Sequence, residues 1–295
     1  MERHSRRLRG VFSLREPRRR DIAIGAAAVA LIPALLGVAA AQPVVVQRQP
    51  VMQRSDTEIF IVFDTSQSMS ARPALRAPTR LQRSEQDAER VLPQLGDIPV
   101  GLATMTDRVL PALMPTTNDA LIRRTIEQSI SINEPPPTER YPYLATSLLK
   151  ALPPISTENF FSYGTRHSIL VVFTDGESTP LPPGYGVDLA KALKTQPLFV
   201  HVWSAAESVY VHGQIDPRYH PDPQSQAVLE QFAGATGGRV FGEGDLGALV
   251  STIRSEAGTP HASTAILTYA RVPLGQWFLL AGVFPLGFLF WRRNL

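Results

Sequence analysis

The 295-residue sequence contains no cysteine. Disulfides, cysteine-ligated zinc, thioether-attached haem and a thiol nucleophile are therefore excluded. The absence is compatible with either side of a membrane. Lysine is scarce beside arginine, and charged residues make up only 19% of the chain against 44% apolar. That balance fits a globular protein with some membrane segment. No G-x-S-x-G elbow and no G-x-x-x-x-G-K-[ST] loop occurs, which removes the commonest serine-hydrolase and ATPase readings. No internal repeat is found.

The formal charge of +3 is unevenly spread. Residues 1–20 hold Arg3, Arg6, Arg7, Arg9, Arg15, Arg18, Arg19 and Arg20 against Glu2 and Glu16. This is a basic arm and not a basic domain, and nucleic acid is not the expected partner. The adjoining apolar segment explains the arm better. Residues 22–41 read IAIGAAAVALIPALLGVAAA, without a charge. At 1.5 Å per residue such a run spans a hydrocarbon core of about 30 Å. Pro33 is tolerable inside a membrane helix. A second run, LGQWFLLAGVFPLGFLFW at 274–291, has Trp277 and Trp291 near its ends and Arg292 and Arg293 behind it. The alternatives are a cleaved signal peptide ending at Ala39-Ala40-Ala41 and a buried core helix at 274–291. The first run exceeds the usual apolar core of a signal peptide, about 7–15 residues, so an anchor is the better reading.

Between these runs strand and helix patterns alternate. Glu58–Phe63 and Ser168–Thr174 are nearly all apolar and β-branched or aromatic, as strands buried on both faces are. Further strands are expected at 100–106, 198–203 and 239–241. Helices are expected at 80–92, 118–129 (capped by Asn118), 144–152, 187–194, 224–233 and 245–256 (capped by Asp245). The alternation predicts an α/β domain: a doubly wound, mostly parallel sheet with helices on both faces. Ligands gather outside the carboxyl ends of such strands. There the sequence places Asp64-Thr65-Ser66-Gln67-Ser68 and Thr174-Asp175-Gly176-Glu177. Two carboxylates with hydroxyls beside them suit a hard divalent cation, Mg²⁺ or Mn²⁺.

This pattern resembles the von Willebrand factor A (vWA) or integrin I-domain family. Asp64-x-Ser66-x-Ser68 matches the D-x-S-x-S of its metal-ion-dependent adhesion site, and Asp175 in Thr174-Asp175-Gly176 matches the later Asp. Thr146 opens TSLLKAL, which matches the family's T-x-[IL]-x-x-A-L run; Ala145 stands where the family usually has Gly. Thr138 is the alternative loop ligand. LEQFAGATGGRVF at 229–241 is similar to the family's closing helix, turn and strand. The resemblance covers Glu58 to Glu256. It implies metal ligation by Asp64, Ser66, Ser68, Thr146 and Asp175, with one position left for an acidic residue of a protein partner. It also implies no enzymatic activity. A metal-dependent phosphohydrolase and a scaffold with a vestigial site are the rival readings. Among bacterial membrane vWA proteins of this kind, association with MoxR-type AAA ATPases or with other vWA proteins is expected.

Other motifs are weaker. Gly242-x-Gly244-x-x-Gly247 matches a dinucleotide fingerprint formally, but the strand before it is short and last in the domain. His212, Asp216, His220 and Asp222 share a Pro-rich loop that could bind a transition metal, or simply be solvated. Loops 134–143 and 178–186 are Pro-rich and are expected to border the metal face.

The expected organisation is a basic cytoplasmic arm (1–21), a transmembrane helix (22–41), a linker (42–56), the vWA domain (57–258), a linker (259–273), a second transmembrane helix (274–291) and a cytoplasmic tail (292–295). The arginine flanks put both termini in the cytoplasm and the domain outside. Protease added to intact cells is expected to digest the central domain and spare tags at either end. Loss of an N-terminal tag would overturn this topology.

Overall fold

The computed structural model describes residues 19–138, 148–259 and 263–293. The chain divides into two units, Met52–Ile266 and a second formed by the flanking segments.

The flanking unit contains helix α1 (Arg19–Ala40) and helix α9 (Gly275–Arg293). The two pack against one another. Ile22–Ala40 is long and apolar enough to cross a membrane; the apolar part of α9, Gly275–Trp291, is shorter. Ile22, Val29, Leu36, Trp277, Phe284 and Trp291 are exposed on these helices. The segments expected as linkers carry strands β1 (Val44–Arg54) and β10 (Ser263–Pro273), which pair as a two-stranded ribbon.

In the larger unit the chain runs through β2 (Thr57–Asp64), α2 (Arg80–Val91), β3 (Val100–Met105), β4 (Val109–Thr116) and α3 (Asp119–Ser129). It resumes with short helices α4 (Leu148–Ala151) and α5 (Pro154–Thr157), then β5 (His167–Thr174), α6 (Gly186–Leu193) and β6 (Pro197–His201). A small hairpin, β7 (Tyr210–Val211) and β8 (Gln214–Ile215), precedes α7 (Ser225–Thr236), β9 (Arg239–Gly242) and α8 (Leu246–Ala257). The main sheet has the order β4-β3-β2-β5-β6-β9, and only β4 is antiparallel to its neighbour.

The two-residue period of a strand sorts the apolar side chains into two cores. Ile59, Ile61 and Phe63 face Leu81 and Ala88 of α2, Ile122 of α3 and Leu249 of α8. Phe60 and Val62 face the other way, with Leu148, Ile155, Leu189, Leu229 and Phe232. Both faces of the sheet are thus covered by helices, which is why β2 and β5 read as unbroken apolar runs. Gly101 of β3 lies against the Phe60 ring, where a Cβ would come within 2.6 Å.

Two local features differ from the sequence reading. β4 carries Pro111 and Pro115, which argue against a strand; the sheet edge, with its bulged register, tolerates the missing N–H groups. Asp245 precedes α8 but does not cap it; its carboxylate instead accepts from Gly242 N–H at 3.2 Å. That closes a tight turn over residues 242–245. Asn118 does cap α3, accepting from Leu121 N–H at 3.1 Å.

Arg54 fastens the ends of this unit together. Its guanidinium holds Asp56 at 3.0 Å and donates to the Ala257 carbonyl at 2.7 Å. The chain therefore enters and leaves the unit side by side.

Candidate metal-binding site

The strand order reverses direction between β2 and β5: β3 and β4 lie to one side of β2, and β5, β6 and β9 to the other. Such a switch point leaves a crevice at the carboxyl ends of the two strands. Asp64 ends β2, and Asp175 directly follows β5. Both are almost wholly buried, at 2% and 1% exposure. The register that sets Phe63 opposite Phe173 brings Thr174 beside Asp64, and Thr174 Oγ1 donates to Asp64 Oδ2 at 2.6 Å.

The loop after β2 turns back on itself through Asp64 Oδ1, which accepts from Ser66 N–H at 2.9 Å. The turn brings the Ser66 and Ser68 hydroxyls to 3.0 Å from each other. Thr65 points elsewhere, its single O–H shared between the carbonyls of Met105 and Glu134 at 3.0 and 2.7 Å. Thr106 donates to the Pro135 carbonyl at 2.9 Å. These bonds fix the described part of the Pro-rich loop beside the carboxyl ends of β2 and β3.

The loop after β5 turns at Gly176, whose φ is +72°. A Cβ there would also lie 2.7 Å from the Ser225 carbonyl, so only glycine fits. Asp175 Oδ1 accepts from Glu177 N–H at 3.0 Å, and Asp175 Oδ2 accepts from Arg80 Nη1 at 2.9 Å. Arg80 is fully buried at the start of α2. Its Nη1 also donates to Glu177 at 2.9 Å, and its Nε to Glu207 at 2.6 Å. Arg83 extends the network to Glu207 and Glu243. Glu177 Oε1 accepts in addition from Trp203 Nε1 at 3.0 Å and Tyr219 Oη at 2.7 Å. Glu177 thereby ties the chain after β6 and the 216–222 loop to the Asp175 turn.

Of the residues assigned from sequence, Asp64, Ser66, Ser68 and Asp175 meet in this crevice. Thr146 lies outside the described residues. Thr138, the alternative, is exposed and donates both its N–H and its hydroxyl to Asp107. In the Pro-rich loop Asp216 is paired with Arg218 at 2.7 Å. Among the described residues no group of three or more His, Asp or Glu side chains is arranged to hold a metal. Sequence reasoning missed Arg80, Glu207 and His201. The imidazole Nε2 of His201 lies 3.0 Å from the Asp175 carbonyl and 3.1 Å from Ser225 Oγ. The only sequence signal for Arg80 is a charged residue at the first turn of an otherwise amphipathic helix.

The donor set suits a hard cation on two grounds. The oxygens of Asp64 and Asp175 that accept a hydrogen bond each retain a second acceptor site. Neighbouring ligands at the corners of a Mg²⁺ octahedron with bonds of about 2.1 Å lie about 3.0 Å apart, as the two serine hydroxyls do.

Burial, and next the nearby Asp175 charge, push the Asp64 carboxyl up to about 7, against the lowering effect of Thr174 and Ser66. Burial also raises Glu177, again with Asp175 second. For Arg80 burial opposes the charge, but Asp175 and the other acidic partners outweigh it and hold the guanidinium protonated. A raised carboxyl favours the fold while protonated: its contribution is complete below the unfolded value of about 3.8 and is lost as pH rises through about 7. In chelator, the wild-type chain is therefore expected to lose stability relative to Asp64→Asn between pH 4 and pH 7. Parallel melting curves across that range would check this, and a constant difference would contradict it.

No protein-family model matches the sequence, and a search of curated proteins finds no match. Solved structures do match the fold. The conserved hypothetical protein BatB from Bacteroides thetaiotaomicron superposes with a TM-score of 0.55 at 20% identity, over 69% of this chain and 100% of its own. An aerotolerance-related membrane protein from Bacteroides fragilis, in a form with multiple mutations to serines, does so with a TM-score of 0.50 at 18% identity, over 68% and 98%. Strand order, the two helical layers and these superpositions agree: the central unit has a von Willebrand factor A-like fold.

Proposed function

We propose that the chain is a membrane-anchored module that binds a protein partner through a divalent cation, Mg²⁺ or Mn²⁺. Asp64, Ser66, Ser68, Thr146 and Asp175 would hold the ion directly or through water. The observation that carries this reading is the pair of serine hydroxyls at ligand-to-ligand spacing on the turn that Asp64 closes, with Asp64 and Asp175 both buried at the sheet's switch point. A capping role for the serines does not account for it, since Ser66 makes no side-chain cap bond to the short helical turn behind it. Thr146 is favoured over Thr138 because the latter is exposed and already donates its N–H and its hydroxyl to Asp107.

When bound, the ion would supply a Lewis-acidic position for a carboxylate of the partner. The protein's part is to present preorganised oxygens, neutralise the ion and exclude water from all but one side. His201 is poorly placed as a base for water at the Asp64 loop, because its Nε2 already lies within hydrogen-bond distance of the Asp175 carbonyl and Ser225 Oγ. Binding is thus a better reading than hydrolysis.

The membrane part of the reading rests on α1 and on the apolar surface that α1 and α9 leave exposed. Contiguous apolar surface of that kind needs an apolar surrounding. The arginines outside both helices favour cytoplasmic termini and a domain beyond the membrane. One of the two superposed structures is itself a membrane protein.

Co-purification from membrane extracts tests the proposal. Partner capture by the full-length chain is expected to vanish in EDTA, return with Mg²⁺ and fail in Asp175→Ala. Shortening the Pro135–Pro137 segment is expected to change which partner is captured and to leave metal affinity intact. Capture that persists unchanged in chelator would show that the interface lies elsewhere.

A further inference from the structure

Arg80 is placed against two ordinary preferences. It stands at the first position of α2, where the helix dipole disfavours a cation. It is also fully buried, yet its Nη2 has no hydrogen-bond partner among the described residues. An arginine kept for stability alone would use that donor, because a buried unpaired N–H is costly. Arg80 does have a direct hold on Asp175, through the same Nη1 that bonds Glu177. Its opposite edge is held by Glu207, which Arg83 shares. The guanidinium and the proposed metal thus draw on one carboxylate.

We propose that Arg80 is a tethered counter-cation that competes with the divalent ion for Asp175 and so sets the metal affinity of the site. This rests on the metal reading given above. Arg80 is a positioning residue here and not a ligand. Without metal it keeps the carboxylates at the crevice from repelling one another, so the site stays assembled. With metal it limits how much negative charge Asp175 presents to the ion. Glu207 sets the strength of the competition, because it draws the guanidinium charge away from Asp175. The outcome is a site that binds its ion reversibly and does not depend on it to fold.

The test uses the full-length chain in detergent, titrated with Mn²⁺ alone, with affinity read by calorimetry and stability by Mn²⁺-dependent melting. An adjacent arginine changes a carboxylate's proton affinity by about 10- to 1000-fold, and competition with a metal is expected to reach at least the lower figure. Arg80→Met should therefore bind Mn²⁺ about tenfold or more tightly, while melting lower than wild type in chelator. Glu207→Gln should bind about tenfold more weakly. A purely structural role would weaken binding in both variants. If wild type binds and Arg80→Met gains nothing, this proposal fails and the metal reading survives. If only Arg80→Met binds, Arg80 blocks the site instead of tuning it, and the metal reading of the native chain fails together with this proposal. If neither binds, both fail. Should Arg80→Met not fold even in excess Mn²⁺, Glu207→Gln decides, and unchanged affinity there overturns the proposal.

Discussion

Asp64 and Asp175 end neighbouring central strands, and both carboxylates are shut off from water. Two like charges brought together in a low dielectric repel strongly, and each also loses its hydration. The surrounding structure answers that problem piece by piece. Thr174 and the Ser66 N–H solvate Asp64; the Glu177 N–H and Arg80 solvate Asp175. Asp64 still carries a raised pKa, because these donors do not fully offset burial and its acidic neighbour. A divalent cation would complete the compensation. Below about pH 7 a proton completes it at Asp64, and the proposed cation would take that proton's place.

The same arrangement explains why the two loops are built as they are. The turn at Gly176 must be tight, because the Ser225 carbonyl lies behind it. Glu177 then gathers Arg80, Trp203 and Tyr219 onto one oxygen, which ties three separate segments to that turn. On the other side Thr65 is directed into the sheet's edge loops, so that Ser66 and Ser68 are the residues left facing each other. The proposed oxygens thus stand on turns pinned at the carboxyl ends of β2 and β5, with residues 134–135 held beside them by Thr65 and Thr106.

Much of the fold and the centre of the site were legible in the sequence, for a local reason. A strand buried on both faces leaves a continuous apolar run, and the residues directly after that run must lie at the sheet's carboxyl edge. Asp64-x-Ser66-x-Ser68 and Thr174-Asp175-Gly176 could therefore be placed without coordinates. Arg80 and Glu207 could not: Arg80 reaches Asp175 across 95 residues of chain and Glu207 across 127. No period or spacing reports such a pairing. β4 was hidden by prolines that an edge strand tolerates, and β1 and β10 lie outside the strand–helix alternation and pair with each other as a separate ribbon. Asp245 reads as a helix cap in the sequence because a cap and a turn closure use the same residue type.

The central claim is that the crevice between β2 and β5 holds one divalent ion on oxygen ligands. Anomalous diffraction from crystals of the full-length chain grown with Mn²⁺ tests it most directly. The account predicts one strong peak in bonding contact with Ser66 and Ser68 Oγ and beside the Asp64 carboxylate. No peak there, or a peak only at the loop bearing His212 and His220, would contradict it.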